Sequence, residues 1–148
     1  MNSKFKVFKY KSNKVDKFDD SISIEEPLEI ILKYLNKDTW IEKTISVTMR
    51  TPGDDEDLVR GFLFNERVID KINHIEKIES VGEPTEQYGL KNKITVTINN
   101  SDNIDIDKIK RNFLTNSSCG VCGKTSLDTL EALKSEKLNL SFPKINKE

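Results

Sequence analysis

Thr51-Pro52-Gly53 separates two stretches of opposite periodicity. Before it, Trp40 to Met49 alternates, with Ile41, Ile45, Val47 and Met49 as the apolar members, the pattern of a strand with one buried face. After it, Asp54 to Glu66 carries Leu58, Phe62 and Leu63 at helical spacing. Acidic residues fill the first turn, where unpaired amide hydrogens favour negative charge, and Asp54 and Asp57 are the candidate caps. A Pro-Gly break thus joins a strand directly to a helix, and the rest of the chain must pack around that junction.

The flanking segments supply more strands than helices. Glu29 to Leu35, rich in Ile and Leu, follows Pro27 as a strand, and Asn36-Lys37-Asp38 turns it into the Trp40 strand as a hairpin. Ile75 to Ser80 and Asn92 to Ile98 read as two further strands around a loop containing Gly82, Pro84 and Gly89. Asp105 to Phe113 is a short helix with Ile106 and Ile109 inward, and Thr125 to Leu133 another with Leu127, Leu130 and Leu133 on one stripe. Strands and helices mix without strict alternation, so the class is α+β or α/β with a mixed sheet. The 148 residues suffice for one domain with a core: a basic edge segment at 1–20, an α+β domain at 21–135 and a polar tail at 136–148.

One third of the residues are charged, yet the net charge is only -1, with both signs interspersed. That distribution gives no broad basic face for nucleic acid. Met1 to Lys17 is locally rich in Lys, with Phe5 and Val7 between Lys4, Lys6 and Lys9, and reads as a solvated edge strand rather than a phosphate-binding arm. No apolar run approaches the roughly 18 residues that span a membrane. The start also lacks a signal-peptide core, so the expected compartment is the cytoplasm. There, two cysteines three positions apart point to catalytic, redox or metal chemistry rather than a structural staple.

Those cysteines stand in Thr115-Asn116-Ser117-Ser118-Cys119-Gly120-Val121-Cys122-Gly123-Lys124. Gly120 and Gly123 permit a sharp turn that exposes both sulfurs. The following helix start, with Lys124 beside it, favours thiolate over thiol. A thiolate on such a loop can attack a donor persulfide and hold the outer sulfur, and a second cysteine can stabilise or resolve the product as a disulfide. A thioredoxin-like role fits poorly, because no βαβ unit precedes the pair. The rival is a zinc site: His74-Ile75-Glu76 with Cys119 and Cys122 matches the ligands and general acid/base of zinc nucleobase deaminases. Against it, Ser118 stands where that signature has Pro, and His74 lies in a strand-like stretch with Ile72, Ile75 and Ile78.

Several stretches together resemble the FdhD family, the accessory sulfurtransferases of formate dehydrogenase. Met49-Arg50-Thr51-Pro52-Gly53-Asp54-Asp55, followed by Leu58-Val59-Arg60-Gly61-Phe62-Leu63, is similar to that family's M-R-T-P-G-x-D run and L-x-x-G-F-L helix. Ser118-Cys119-Gly120-Val121-Cys122-Gly123 resembles its S-C-G-x-C-G loop, and Glu25-Glu26-Pro27-Leu28-Glu29-Ile30 its E-E-P-L-E-I opening. The resemblance implies a domain like the N-terminal part of a family whose larger domain is cytidine-deaminase-like. It also implies sulfur taken as a persulfide from a cysteine desulfurase, on Cys119 with Cys122 assisting. The sulfur then passes to the molybdenum cofactor in its bis-molybdopterin guanine dinucleotide form, the transferred substrate, for formate dehydrogenase. Cofactor contacts would fall to Met49, Arg50, Thr51, Pro52, Gly53 and Lys124, with no resident metal. Partners would be the desulfurase and the dehydrogenase, with a homodimer left open and neither nucleic acid nor membrane expected. Arg50 beside a helix N-terminus suits a phosphate or pterin group, and equally suits an Arg holding its own loop through Asp54 to Asp57.

Two departures from the family pattern carry expectations. Family members continue past the cysteine loop into a Gly-rich T-G-G segment that this sequence lacks, so it reads as a truncated, split or degenerate member, or as a fragment that only docks. Arg67 also stands where the family has Gly after the helix. If that residue is left-handed, Arg there costs about 1 kcal/mol.

Overall fold

The computed structural model describes residues 1–11, 14–99 and Leu127. In chain order these form β1 (Asn2–Lys11), β2 (Lys14–Ser23), β3 (Glu26–Asn36), β4 (Thr39–Arg50), α1 (Asp55–Asn65), a 3-10 turn (Ile72–His74), β5 (Ile75–Val81) and β6 (Lys93–Ile98). The helices expected at 105–113 and 125–133, the cysteine loop and the tail lie outside the described residues, apart from Leu127, which is helical.

The sheet has the order β4-β3-β6-β5, with β3 parallel to β6 and the other pairs antiparallel. It is the mixed sheet with few helices that the sequence predicts. Alternation assigns Leu28, Ile30, Leu32 and Tyr34 of β3 and Ile94, Val96 and Ile98 of β6 to one face, and all are buried. Val59 and Leu63 of α1, Val68 and Ile69 complete that core. The helix buries a stripe one residue removed from the expected one. Val59 and Leu63 are fully buried and Phe62 flanks them, whereas Leu58 is 40% exposed. Residues four apart share a face, and a step from 59 to 58 turns about 100° away from it.

The β3–β4 hairpin closes at Lys37-Asp38, between the paired Asn36 and Thr39. Both turn residues have positive φ, 45° and 68°, as a two-residue hairpin turn matched to strand twist requires. Ile30 pairs with Ser46 and Ile31 with Thr44, so Ile45 is an extra residue without a partner. This bulge changes the alternation of β4. Ile41 and Ile45 pack with the core, but Val47, opposite Glu29, is buried on the other face. The expectation of one apolar face from Ile41 to Met49 is corrected there.

The end of α1 is a full Schellman motif. Val68 N–H donates to Leu63 O at 2.9 Å and Arg67 N–H to Phe64 O at 3.2 Å. Leu63 and Val68, both buried, make the accompanying apolar contact. Arg67 has φ 59°, the left-handed conformation that glycine adopts without a Cβ penalty. Arg67→Gly should therefore raise stability by about 1 kcal/mol, measured by chemical denaturation, and no gain would mean that the unfolded chain's added freedom offsets it.

The lysine-rich start is not a lone edge strand. β1 and β2 pair antiparallel from Asn2↔Ser23 to Lys11↔Lys14 and form a separate two-stranded ribbon. Nearly every residue of it is exposed.

Candidate functional site

Residues from four segments converge where β4 meets α1. β4 delivers Arg50 at its last position, Pro52 is buried, and Gly53 turns the chain with φ 152°. A Cβ on Gly53 would meet nothing within 4 Å, so the conformation and not crowding calls for glycine. Asp54 then occupies the N-cap position of α1 without a side-chain cap bond. The acids at Asp55, Glu56 and Asp57 interact with the helix end through charge alone. The capping role expected of Asp54 is thus not realised.

Arg50 is only 6% exposed. Its Nε donates to Asp55 Oδ1 at 3.0 Å and its Nη2 to Asp55 Oδ2 at 3.1 Å, a bidentate pair. Nη1 donates to Glu26 O at 3.3 Å and Nη2 to Lys91 O at 3.4 Å. One guanidinium therefore ties together the end of β4, the first turn of α1, the start of β3 and the loop before β6. Of the two roles open to Arg50, the geometry gives it the holding of its own loop. The adjoining hollow of about 390 Å³ is lined by Met49, Arg50, Thr51, Asp54, Asp55, Asp57 and Leu58. Three carboxylates against one paired guanidinium make its mouth a poor seat for a bare phosphate.

A second layer supports the clamp, and sequence reading missed it. Asn92 Nδ2 donates to Glu26 Oε2 at 3.1 Å, and Asn92 O accepts from Glu29 N at 2.8 Å. Glu29, 3% exposed, accepts from Thr44 Oγ1 at 2.6 Å. Its other oxygen lies 3.3 Å from Lys93 Nζ, an ion-pair contact without hydrogen-bond alignment. A carboxylate in the middle of an Ile/Leu-rich strand was the available signal. Its partners, from 15 to 64 residues away in sequence, were not.

His74 ends the 3-10 turn and Glu76 follows on β5, exposed. Neither sits at a helix N-terminus that could present both to a metal. Among the described residues no group of three or more His, Cys, Asp or Glu is placed to hold a metal ion. Cys119, Cys122 and Lys124 lie outside the described residues. No described helix is long and apolar enough to cross a membrane.

Comparison with known proteins gives one consistent result. Residues 23–147 match the model of the FdhD/NarQ family. The chain is 37% identical over 147 residues to the sulfur carrier protein FdhD of Saccharolobus solfataricus, covering 95% of this chain and 50% of that protein. It is 34% identical over 133 residues to the sulfur carrier protein FdhD of Sulfolobus acidocaldarius, covering 90% and 45%. The chain thus spans about half the length of the curated relatives it matches. A crystal structure of a Desulfotalea psychrophila protein, assigned as a formate dehydrogenase accessory protein, superposes with a TM-score of 0.50. That match, at 23% identity over 66% of this chain and 35% of the other, supports the fold.

Proposed function

Because this chain belongs to the FdhD/NarQ family, we propose that it carries sulfur as a persulfide on Cys119. The observation that carries this reading is a family match that runs through the Cys119-Gly-Val-Cys122 loop, together with relatives named as sulfur carriers. In the proposed step the Cys119 thiolate attacks the outer sulfur of a persulfide on a cysteine desulfurase. The donor's S–S bond breaks, its cysteine leaves as thiolate, and the new S–S bond forms on Cys119 with no net redox change. Lys124 and the glycines on either side of Val121-Cys122 favour the thiolate and a turn that exposes it. Delivery proceeds by attack of Cys122 on the Cys119 sulfur. The outer sulfur leaves as hydrosulfide for the molybdenum cofactor in its bis-guanine dinucleotide form, and the cysteines are left as a disulfide for a cellular thiol to reduce. The sulfurated cofactor then serves formate dehydrogenase.

The Arg50 clamp has a defined part in this reading. It fixes the Met49–Gly53 edge as a rigid wall against which the transferred cofactor is positioned, while contributing no charge of its own. The test is transfer of radiolabelled sulfur from cysteine, through a cysteine desulfurase, to the purified chain. Label that stays on the protein without reductant and leaves with it supports a persulfide carrier. Label that never leaves the desulfurase contradicts it.

A further inference from the structure

The β1–β2 ribbon is polarised along its length. Its distal half, residues 8–11 paired with 14–17, carries Lys9, Lys11, Lys14 and Lys17 against Asp16, a net +3. Its base carries Lys4 and Lys6 against Asp19 and Asp20, a net of zero. With a whole-chain charge of -1, the remainder of the protein is net -4. Five cations of the sheet domain, Lys33, Arg50, Arg60, Lys77 and Lys93, are paired with carboxylates, whereas none of the ribbon's lysines is so paired among the described residues. Lys11 and Lys14 face each other directly across the strands, a like-charge pair that destabilises a ribbon already marginal in water. The fold gains nothing from that placement, which suits an external anion.

Apolar side chains gather in the same half. The register puts Phe8, Tyr10 and Val15 on one side of the ribbon, with Lys17 opposite Phe8 and its Nζ 5.5 Å from the ring centre. Phe8 and Tyr10, 64% and 58% exposed, are the most exposed large apolar residues among those described. Lys9, Lys11 and Lys14 alternate to the other side. That division separates two kinds of polyanion. Single-stranded nucleic acid needs its cations beside the aromatics, so that phosphates are met while bases stack, and these three lysines lie on the wrong side for it. A bilayer surface engages both sides at once. The ribbon is about 10 Å thick, and an interfacial element sinks its apolar side about 5–10 Å into the headgroup boundary, which leaves the far-side lysines at headgroup level. Clusters of about four to eight basic residues on such an element attract anionic lipid. The expectation of no membrane partner rests on the lack of a spanning run, which concerns crossing a bilayer and not lying on it.

We propose that the distal half of the ribbon is a peripheral anchor for an anionic phospholipid surface, with Phe8, Tyr10 and Val15 entering the interface and Lys9, Lys11, Lys14 and Lys17 held among the headgroups. The net -4 of the remaining chain turns the ribbon, and not the sheet domain, toward such a surface. The ribbon precedes residue 23, where the family match begins, and the anchor does not depend on the Cys119 chemistry. Co-sedimentation of the 148-residue chain with lipid vesicles tests it. Vesicles of equal parts phosphatidylcholine and phosphatidylserine should bind the chain at least about tenfold more tightly than phosphatidylcholine alone, and the difference should vanish in about 1 M salt. Lys9→Gln, Lys11→Gln and Lys14→Gln together should weaken binding by about a hundredfold, and Phe8→Ser with Tyr10→Ser by about tenfold or more. Should the aromatic variant fail to fold by circular dichroism, the lysine variant decides alone, because it also removes the Lys11–Lys14 repulsion. Equal affinity for the two vesicles overturns the proposal, as does a lysine variant that binds like wild type. So does a chain that binds neither vesicle, including one that takes up a single-stranded oligonucleotide instead.

Discussion

Cys119→Ala should abolish sulfur loading, lowering label transfer from a desulfurase by at least about a hundredfold, while leaving the fold unchanged. The expectation follows from the chemistry, since only a thiolate at this position can take the outer sulfur, and neither alanine nor the neighbouring hydroxyls can replace it. Cys122→Ala should behave differently. Loading should persist, because Cys119 still forms the persulfide, but release should slow, because the attacking partner is gone. If the two substitutions instead have equal effects on loading, the cysteines act as a unit, as metal ligands or as an obligatory disulfide, and the division of labour proposed here fails. An equally active Cys119→Ala protein would sink the carrier assignment altogether.

The second large effect is structural. Arg50→Ala removes a buried guanidinium that makes two bonds to Asp55 and reaches two backbone carbonyls. It leaves Asp55, whose side chain is 20% exposed, unpaired. Breaking a buried pair from one side costs about 3–5 kcal/mol, a large part of the roughly 5–15 kcal/mol that stabilises a domain. Urea denaturation should show that loss, and the melting temperature should fall by roughly 10 °C or more. Arg50→Lys keeps the charge and loses the fork, so it should fall between wild type and Ala. Removing Asp55 as well, in Arg50→Ala with Asp55→Ala, should recover part of the loss, because no lone carboxylate is then buried. A loss below about 1 kcal/mol with strongly impaired delivery would return Arg50 to the role of a ligand for the transferred cofactor.

How far the sequence reveals this molecule depends on whether the determining interaction is local. Lys37-Asp38 announces a turn, and the Pro52-Gly53 break announces the step from strand to helix, because both are fixed by φ preferences of adjacent residues. Arg67 belongs to the same class: a bulky residue in a slot that glycine fills well is visible from the helix pattern, and its φ of 59° matches. Local pattern is insufficient where neighbours in space decide. The bulge at Ile45 moves Val47 to the opposite face, and nothing in the alternating run marks the extra residue. Leu58 and Val59 are equally apolar, so only the direction of approach of the sheet selects Val59 for burial. Arg50 was legible as important but not as a clamp, since two of its partners, the carbonyls of Glu26 and Lys91, carry no side-chain signature. The cysteine loop is the reverse case: its chemistry is read entirely from residue types and family membership.

Whether Cys119 carries sulfur is decided by intact-mass spectrometry of the purified chain after incubation with a cysteine desulfurase and cysteine, with bound zinc assayed on the same sample. The prediction is a gain of one sulfur atom, about 32 Da, removed by reductant and mapped by digestion to Cys119. A chain that keeps its original mass and holds one zinc with unreactive cysteines would contradict it.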